Sequence, residues 1–515
     1  GYGAGGKRGT IAGINAMGGD TAAIANTREG VAGAYQLVSG LFLRLLALVY
    51  LVAFVSLGLQ ITGLAGADGI LPFSAQLQHL EAEYGAERFL VSPNLFWFSA
   101  SDLALQGVAI AGAVFSVLLF FNILQRLSLV LLFICYLSLY HAGLPFTNFQ
   151  WDYLLLESGF LAIFLPYGSG ITIFLFRWLL FRLRFQSGIS KLLSGDPSWS
   201  NLTALESYFE TQPLPHWVSW YAHHLPEWLL RTGTGAVLFI EIVVPFMMFL
   251  PGKARLFAAW ATILLQVVIL LTSNHNFFNI LTIFLCLFLF TDRQLQRLIP
   301  APAGRWLSGG IGAGSSVRGR YQAAMAALAG LIVLVSAFQM WEMVSRQRSP
   351  EPAQSVLERL QPFHIVHKYH VFPTMKTDRK EIIIEGSDDA IEWRPYVFRY
   401  KPGYTGRRPA VVIPHQPRLD WMMWFLPEGH PLNMMWYEKL LERLLENSPS
   451  VTGLFELNPF PDQPPAYIRS SLYQYRFTSQ QERAETGQWW SADYLGPFFP
   501  WPWMGRDTSS EKHVE

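Results

Sequence analysis

Cysteine is almost absent: the 515 residues include two, Cys135 and Cys286, both inside apolar runs. That excludes a disulfide framework, and thiols so placed read as small buried hydrophobes. Charged residues are also scarce, at 15% of the chain, against about 25% in an average soluble domain. The net charge is +1 and no long Lys/Arg block occurs. A nucleic-acid partner held by a basic field is therefore excluded. No P-loop, no GxGxxG after a strand, no GxSxG elbow and no CxxC or HExxH spacing is present. Nucleotide, serine-lipase and zinc chemistry thus lack their motifs. His223 and His224 are adjacent; on a helix such neighbours diverge by about 100° and do not chelate one ion. Neither a metal nor a cofactor is expected.

What the chain has instead is apolar sequence, 51% hydrophobic and 15% aromatic residues, concentrated in its first two-thirds. Apolar runs fall at Leu37–Leu59, Leu103–Phe121, Leu127–Tyr140, Leu154–Leu165, Ile171–Phe181, Leu229–Leu250, Leu256–Leu271, Phe277–Phe290 and Tyr321–Met340. A crossing takes about 20 residues, which the first, second, sixth and last runs meet. The expected fold class is a polytopic α-helical membrane protein of about eight or nine spans, followed by a β-rich (α+β) extracytoplasmic domain. The boundaries are residues 1–35, a Gly- and Ala-rich disordered segment; 36–341, the transmembrane domain; and 342–515, the soluble domain. Within the bundle, residues 182–228 read as an interfacial segment because Pro197, Pro213, Pro215 and Pro226 interrupt them. Gly309–Ser316 suits a flexible connection.

Arg126, Lys253 with Arg255, and the Arg293–Arg320 stretch fall in alternate connections on the same side. The positive-inside rule makes that side cytoplasmic and puts the C-terminal domain outside. In that domain Glu381–Glu385 reads as a strand and Gly386-Ser387-Asp388-Asp389 as a turn. Trp393–Lys401 alternates like a half-buried strand, and Asn433–Glu446 carries an apolar stripe of helical period. The end is aromatic, with Trp489, Trp490, Phe498, Phe499, Trp501 and Trp503.

Two carboxylates stand out inside membrane-grade sequence, Asp152 and Glu157. An acid at the bilayer centre costs about 2.5–3.5 kcal/mol, so a buried partner or a function is implied. Asp152, at a span end, also suits water or a helix cap. Glu157 lies deeper, with Arg44 and Arg177 as candidate partners; Glu241 invites the same reasoning. Lys191 reads as a snorkelling lysine or as a base made available by burial. In the C-terminal domain Arg394, Arg418, Asp420, Trp421 and Trp424 form a candidate client-contact patch; the same residues suit internal packing.

The words Phe149-Gln150-Trp151-Asp152-Tyr153-Leu154-Leu155-Leu156-Glu157-Ser158-Gly159-Phe160 and Lys191-Leu192-Leu193-Ser194-Gly195-Asp196-Pro197-Ser198-Trp199 resemble the lipase maturation factor family. Tyr208-Phe209-Glu210-Thr211-Gln212-Pro213, Tyr400-Lys401-Pro402-Gly403 and Pro414-His415-Gln416-Pro417-Arg418-Leu419-Asp420-Trp421 extend the resemblance. It implies a membrane-embedded, non-enzymatic factor that assists folding of exported clients such as lipases, with the bilayer as its other partner. The C-terminal domain would be lumenal in an endoplasmic reticulum member. Few cysteines and a preference for Arg over Lys suit a bacterial member, with the domain periplasmic and the bundle in the inner membrane. Gly188-Ile189-Ser190-Lys191-Leu192, with Trp199 nearby, is also similar to a word in the membrane region of vitamin K-dependent γ-carboxylases. That similarity implies an alternative: an integral-membrane enzyme on a lipophilic substrate, with Lys191 as base and Asp152 and Glu157 beside it.

Overall fold

The computed structural model describes residues 34–312, 319–500 and 503–505. Residues 1–33 of the expected disordered segment, residues 313–316 of the Gly309–Ser316 connection, and Trp501 lie outside the described residues.

The bundle is built from α1 (Gln36–Gly58), α2 (Asp102–Phe120), α3 (Gln125–Ala142), α4 (Gln150–Ala162), α5 (Gly170–Leu193), α6 (Glu227–Ile242), α7 (Lys253–Thr272), α8 (Phe278–Leu285) and α9 (Gly319–Ser345). Among the described residues five helices are long and apolar enough to cross a membrane: α1, α2, α3, α7 and α9. At 1.5 Å per residue α1, with 23 residues, is about 34 Å long, enough for the roughly 30 Å hydrocarbon layer.

Two of the expected runs come out differently. Leu229–Leu250 is not one unbroken helix: α6 stops at Ile242 and a separate turn, Val244–Met247, follows with Pro245 in it. Proline lacks the N–H and clashes with the preceding turn, so the helix cannot run on. Ile171–Phe181 is the first half of α5, a 24-residue helix that continues unbroken to Leu193. Residues 182–193, expected at an interface, are therefore helical and mostly buried. Arg182, Arg184 and Lys191 lie on that half, which keeps α5 from reading as a purely apolar helix.

The central helix is α1, which packs against α2, while α2 packs on α3 and α5 on α6 and α9. Close approaches are made by small residues. A Cβ at Gly159 of α4 would collide with the Tyr50 hydroxyl on α1, and one at Gly112 of α2 with the Phe54 ring.

The C-terminal region starts with α10 (Glu351–Leu360) and adds α11 (Arg418–Met422) and α12 (Pro431–Leu445). Its strands are β1 (Arg379–Ser387), β2 (Arg394–Pro395), β3 (Tyr467–Phe477), β4 (Trp490–Pro497) and β5 (Met504–Gly505). They form an antiparallel sheet in the order β2-β1-β3-β4, with β5 also on β3. Ile382 and Ile384 of β1 are buried, the period of two that a sheet with one core face requires. The alternation at Trp393–Lys401 survives as burial of Tyr396 and Phe398. As a strand it is shorter than expected: only Arg394–Pro395 pairs with β1. Pro395 has no N–H for the ladder, and the chain leaves the sheet there. Lys401, expected on the outer face, is buried with its Nζ 2.8 Å from Glu381. The stripe Trp436, Leu440, Leu441, Leu444 and Leu445 of α12 is buried as its spacing demands.

The bundle and the C-terminal region share one continuous apolar core. Trp436 of α12, for example, packs edge-on to Phe146 between α3 and α4, with ring centroids 5.6 Å apart.

Candidate functional site

Asp152 stands in the first turn of α4 and is 0% exposed. It neither faces water nor caps the helix. Arg418 of α11 grips it with two parallel bonds, Nη1 to Oδ2 at 2.7 Å and Nη2 to Oδ1 at 2.8 Å. Tyr136 of α3 donates its hydroxyl to Oδ1 at 2.6 Å. Arg418 Nη1 also donates to the Phe146 carbonyl at 3.1 Å. A planar guanidinium matches a carboxylate in this way, and lysine would not.

Glu157 is likewise 0% exposed. Its partner is neither Arg44 nor Arg177 but Arg182 of α5. Tyr369 donates its hydroxyl to Glu157 at 2.8 Å, and the His367 backbone N–H donates at 3.3 Å. Arg182 in turn donates to the His367 carbonyl at 3.0 Å. Arg44 lies over the Trp306 ring at 5.3 Å, and Arg177 donates to the Phe288 carbonyl at 2.8 Å.

The third acid, Glu241 of α6, holds both Arg184 (2.5 Å) and Lys191 (2.7 Å) of α5. Lys191 is 3% exposed and also donates to the carbonyls of Val371 (2.8 Å) and Ser187 (3.3 Å). Taking such charges out of water costs several kcal/mol each unless every lone pair and proton is used. All three centres tie bundle helices to the segment 367–371 or to α11.

Around the third centre lies a cavity of about 440 Å³. Its walls are the start of α4 (Phe149, Trp151), α5 (Arg184, Lys191), Gln266 of α7, Asn279 of α8, residues 370–375, and Trp421, Trp424 and Phe425. Lys191 lines it; Asp152 and Glu157 do not. The segment between α7 and α8 contributes His275, whose Nε2 is 2.7 Å from the Tyr208 hydroxyl. Burial pushes His275 down to about 4, so the imidazole is neutral at neutral pH.

The five residues read as a client patch do not share one surface. Arg394 is half exposed beside Asp388 at 2.6 Å and lies over the Phe460 ring. Arg418 is inside on Asp152. Asp420 is also inside, accepting the backbone N–H groups of Tyr400 (2.8 Å) and Lys401 (2.9 Å), and burial raises its pKa. Trp421 is buried against Trp151, with ring centroids 4.9 Å apart. Trp424 is partly exposed, donates to the Thr211 carbonyl at 2.7 Å, and lies 3.6 Å beneath the Lys376 ammonium.

Reading the chain as a string missed Arg182, Arg184 and Tyr369. One signal was present: Arg177, Arg184 and Lys191 recur every seven residues, two helical turns, and so share a face. For Tyr369 no local signal exists. Among the described residues no three His, Cys, Asp or Glu side chains converge as metal ligands.

Residues 37–297 match the family described as lipase maturation factor transmembrane domain, and residues 365–500 match the lipase maturation factor C-terminal domain. Lipase maturation factor 2 of Xenopus laevis is 33% identical, across 91% of this chain and 82% of its own length. Lipase maturation factor 1 of Bos taurus is 32% identical, across 91% and 89%. Human lipase maturation factor 2 is 31% identical, across 91% and 83%. No solved structure matches.

Proposed function

The chain belongs to the lipase maturation factor family, and from that premise we propose that it assists folding and maturation of exported proteins, lipases among them, without covalent chemistry. The observation that carries this reading is the bidentate Arg418–Asp152 pair, at 2.7 and 2.8 Å. Through it the sheet-bearing region is held rigidly on the membrane bundle, so a client docked there is kept at a fixed distance from the bilayer it is crossing. In this reading residues 36–341 cross the membrane about eight or nine times, and residues 342–515 form the extracytoplasmic module. That module faces the endoplasmic reticulum lumen in a eukaryotic cell and the periplasm in a bacterium. Arg394 and Trp424 touch the client; Arg418, Asp420 and Trp421 position them from within.

The test is secretion of active lipase from cells lacking their own factor and supplied with this chain. Arg418→Leu should abolish rescue, and Asp152→Leu with Arg418→Leu together should restore it. Full rescue by the single variant, at normal membrane abundance, would sink the docking argument.

A second reading, an enzyme acting on a lipophilic substrate with Lys191 as base, is favoured by one observation: Lys191 lines the 440 Å³ cavity. It receives no support from Asp152 or Glu157, which line none of it. Lys191→Met with undiminished lipase rescue would remove it.

A further inference from the structure

Buried polar atoms without partners concentrate around the cavity. Five lining residues carry a donor that finds no acceptor: Nε1 of Trp151, Trp199 and Trp421, Nε of Arg184 and Nε2 of Gln266. Two lining residues carry an acceptor that receives no hydrogen bond: Oδ1 of Asn279, and Oε2 of Glu241, which is held by the Lys191 ammonium at 2.7 Å as an ion pair. The free Gln266 donor and the free Asn279 acceptor arise together, because Asn279 Nδ2 donates to Gln266 Oε1 at 2.6 Å and leaves the opposite ends of both amides unused. A buried donor without a partner keeps the full cost of leaving water. Five donors against two acceptors biases the shell behind the wall toward a partner rich in oxygen acceptors.

Charge points the same way. The lining holds two cations, Arg184 and Lys191, and a single acid, Glu241, whose two oxygens both face them. One positive charge is left without an anion in a water-poor site, where an unbalanced charge is felt most strongly. The remainder of the wall is mostly apolar and aromatic, with Phe149, Phe278, Phe372 and Phe425, and includes the polar groups of Tyr208, His275 and His370. At about 440 Å³ the volume falls in the usual range for one small ligand, enough for one acyl chain and too small for a two-chain glycerolipid.

We propose that this cavity binds a single-chain amphiphile with an anionic oxygen head, the head drawn to the excess positive charge of Arg184 and Lys191 and the chain lying against the phenylalanines. The site shares Trp421 and Trp424 with the proposed client-contact residues and needs no chemistry on the ligand. A free fatty acid and a monoacyl phosphate share the required chemistry.

The test uses the full chain in nanodiscs and a diazirine-bearing palmitate, with labelled residues mapped by mass spectrometry. Adducts are expected on residues 148–151, 266–279 or 370–375. Unlabelled palmitate should suppress them about tenfold, while hexadecanol, with the same chain and no charge, should not. Lysophosphatidate competing better than palmitate identifies the phosphate head; the reverse identifies the carboxylate. Val237→Trp, which fills the cavity, should abolish the adducts, and Ile269→Phe provides a second filling variant should the first fail to unfold cooperatively. Adducts confined to lipid-facing positions of α2 and α7, or equal competition by hexadecanol, would overturn the proposal.

Discussion

The interior holds two kinds of buried polar centre, and they are finished to different degrees. At Asp152 an arginine fork and a tyrosine hydroxyl match the carboxylate, at Glu157 an arginine, a tyrosine hydroxyl and a backbone N–H do so, and neither acid lines the 440 Å³ cavity. At Glu241 the ion pairs are made, yet a cavity stands beside them with unmatched donors in its wall. The first arrangement serves to join two regions of chain. The second keeps a favourable polar surface in reserve. Burial alone does not separate structure from function here, nor does an unmatched donor, since Nε of Arg418 and of Arg182 also lacks an acceptor; the adjoining cavity does.

The largest effect should come from breaking a closed centre. Arg418→Leu leaves Asp152 buried without its counter-charge, a change that costs about 3–5 kcal/mol. Asp152→Leu with Arg418→Leu removes both charges and should recover most of that loss, since an apolar pair of similar volume is often neutral. Thermal unfolding of the four corners of this cycle in lipid measures it. Additive losses in the double variant would mean that the pair is not what joins the regions.

How far this was legible in the sequence depends on range. Helix α12 and strand β1 were readable because period and burial are local properties. The break after Ile242 was readable in principle from Pro245, but a run of apolar residues concealed it. The acids at 152 and 157 announced themselves by their cost in lipid. Their partners did not: Arg418 is 266 positions from Asp152, and Tyr369 is 212 from Glu157. Nothing in a linear pattern ties residues so far apart. For Arg418 and Asp420 the sequence left client contact and internal packing both open, and the fold uses their charge inside.

A second, intermediate effect is pH dependence at the edge of the closed centre. His364 Nδ1 lies 2.6 Å from His367 Nε2, and His367 stacks on Tyr153 at 4.1 Å. Burial pushes His364 down to about 2 and His367 to about 3, with Arg182 lowering the latter further. His141, Tyr140, His370 and Glu157 complete the surroundings. In the unfolded chain both imidazoles titrate near about 6.5. Below that pH the unfolded state binds more protons, so stability is full above about 6.5 and falls as pH drops toward the folded values. The slope is about 1.4 kcal/mol per pH unit for each proton. Unfolding scans between about pH 7.5 and 5 should show it, and His364→Gln with His367→Gln should flatten the curve. An unchanged slope in that double variant would assign the dependence elsewhere.

The open centre should respond weakly. Gln266→Leu with Asn279→Leu replaces both members of the buried amide pair, and with it one unmatched donor and one unmatched acceptor. Removing both partners in favour of apolar groups of like shape is nearly neutral or stabilising, so the melting temperature should hold or rise. A loss as large as that at Arg418 would show that the wall of the cavity is as tightly built as the closed centre, and the contrast between them would disappear.

The smallest stability effect belongs to Arg394→Ala, and that makes it the sharpest probe of function. The Arg394–Asp388 pair is about half exposed, at 49% and 61%, and exposed pairs contribute about 0–1 kcal/mol. The guanidinium also donates to the Pro459 carbonyl at 3.2 Å and covers one face of the buried Phe460 ring, so a small packing loss adds to this. Unfolding should therefore shift by no more than about 1 kcal/mol. Arg418, by contrast, affects client rescue and folding together, and its variant cannot separate the two. If Arg394 touches the client, rescue of lipase secretion falls in Arg394→Ala while membrane abundance and melting stay put, and Arg394→Lys, which keeps the charge but not the fork, restores it only in part. Rescue equal to wild type would move the client surface away from the β1–β2 hairpin and leave Trp424, in the turn that follows α11, as the place to look.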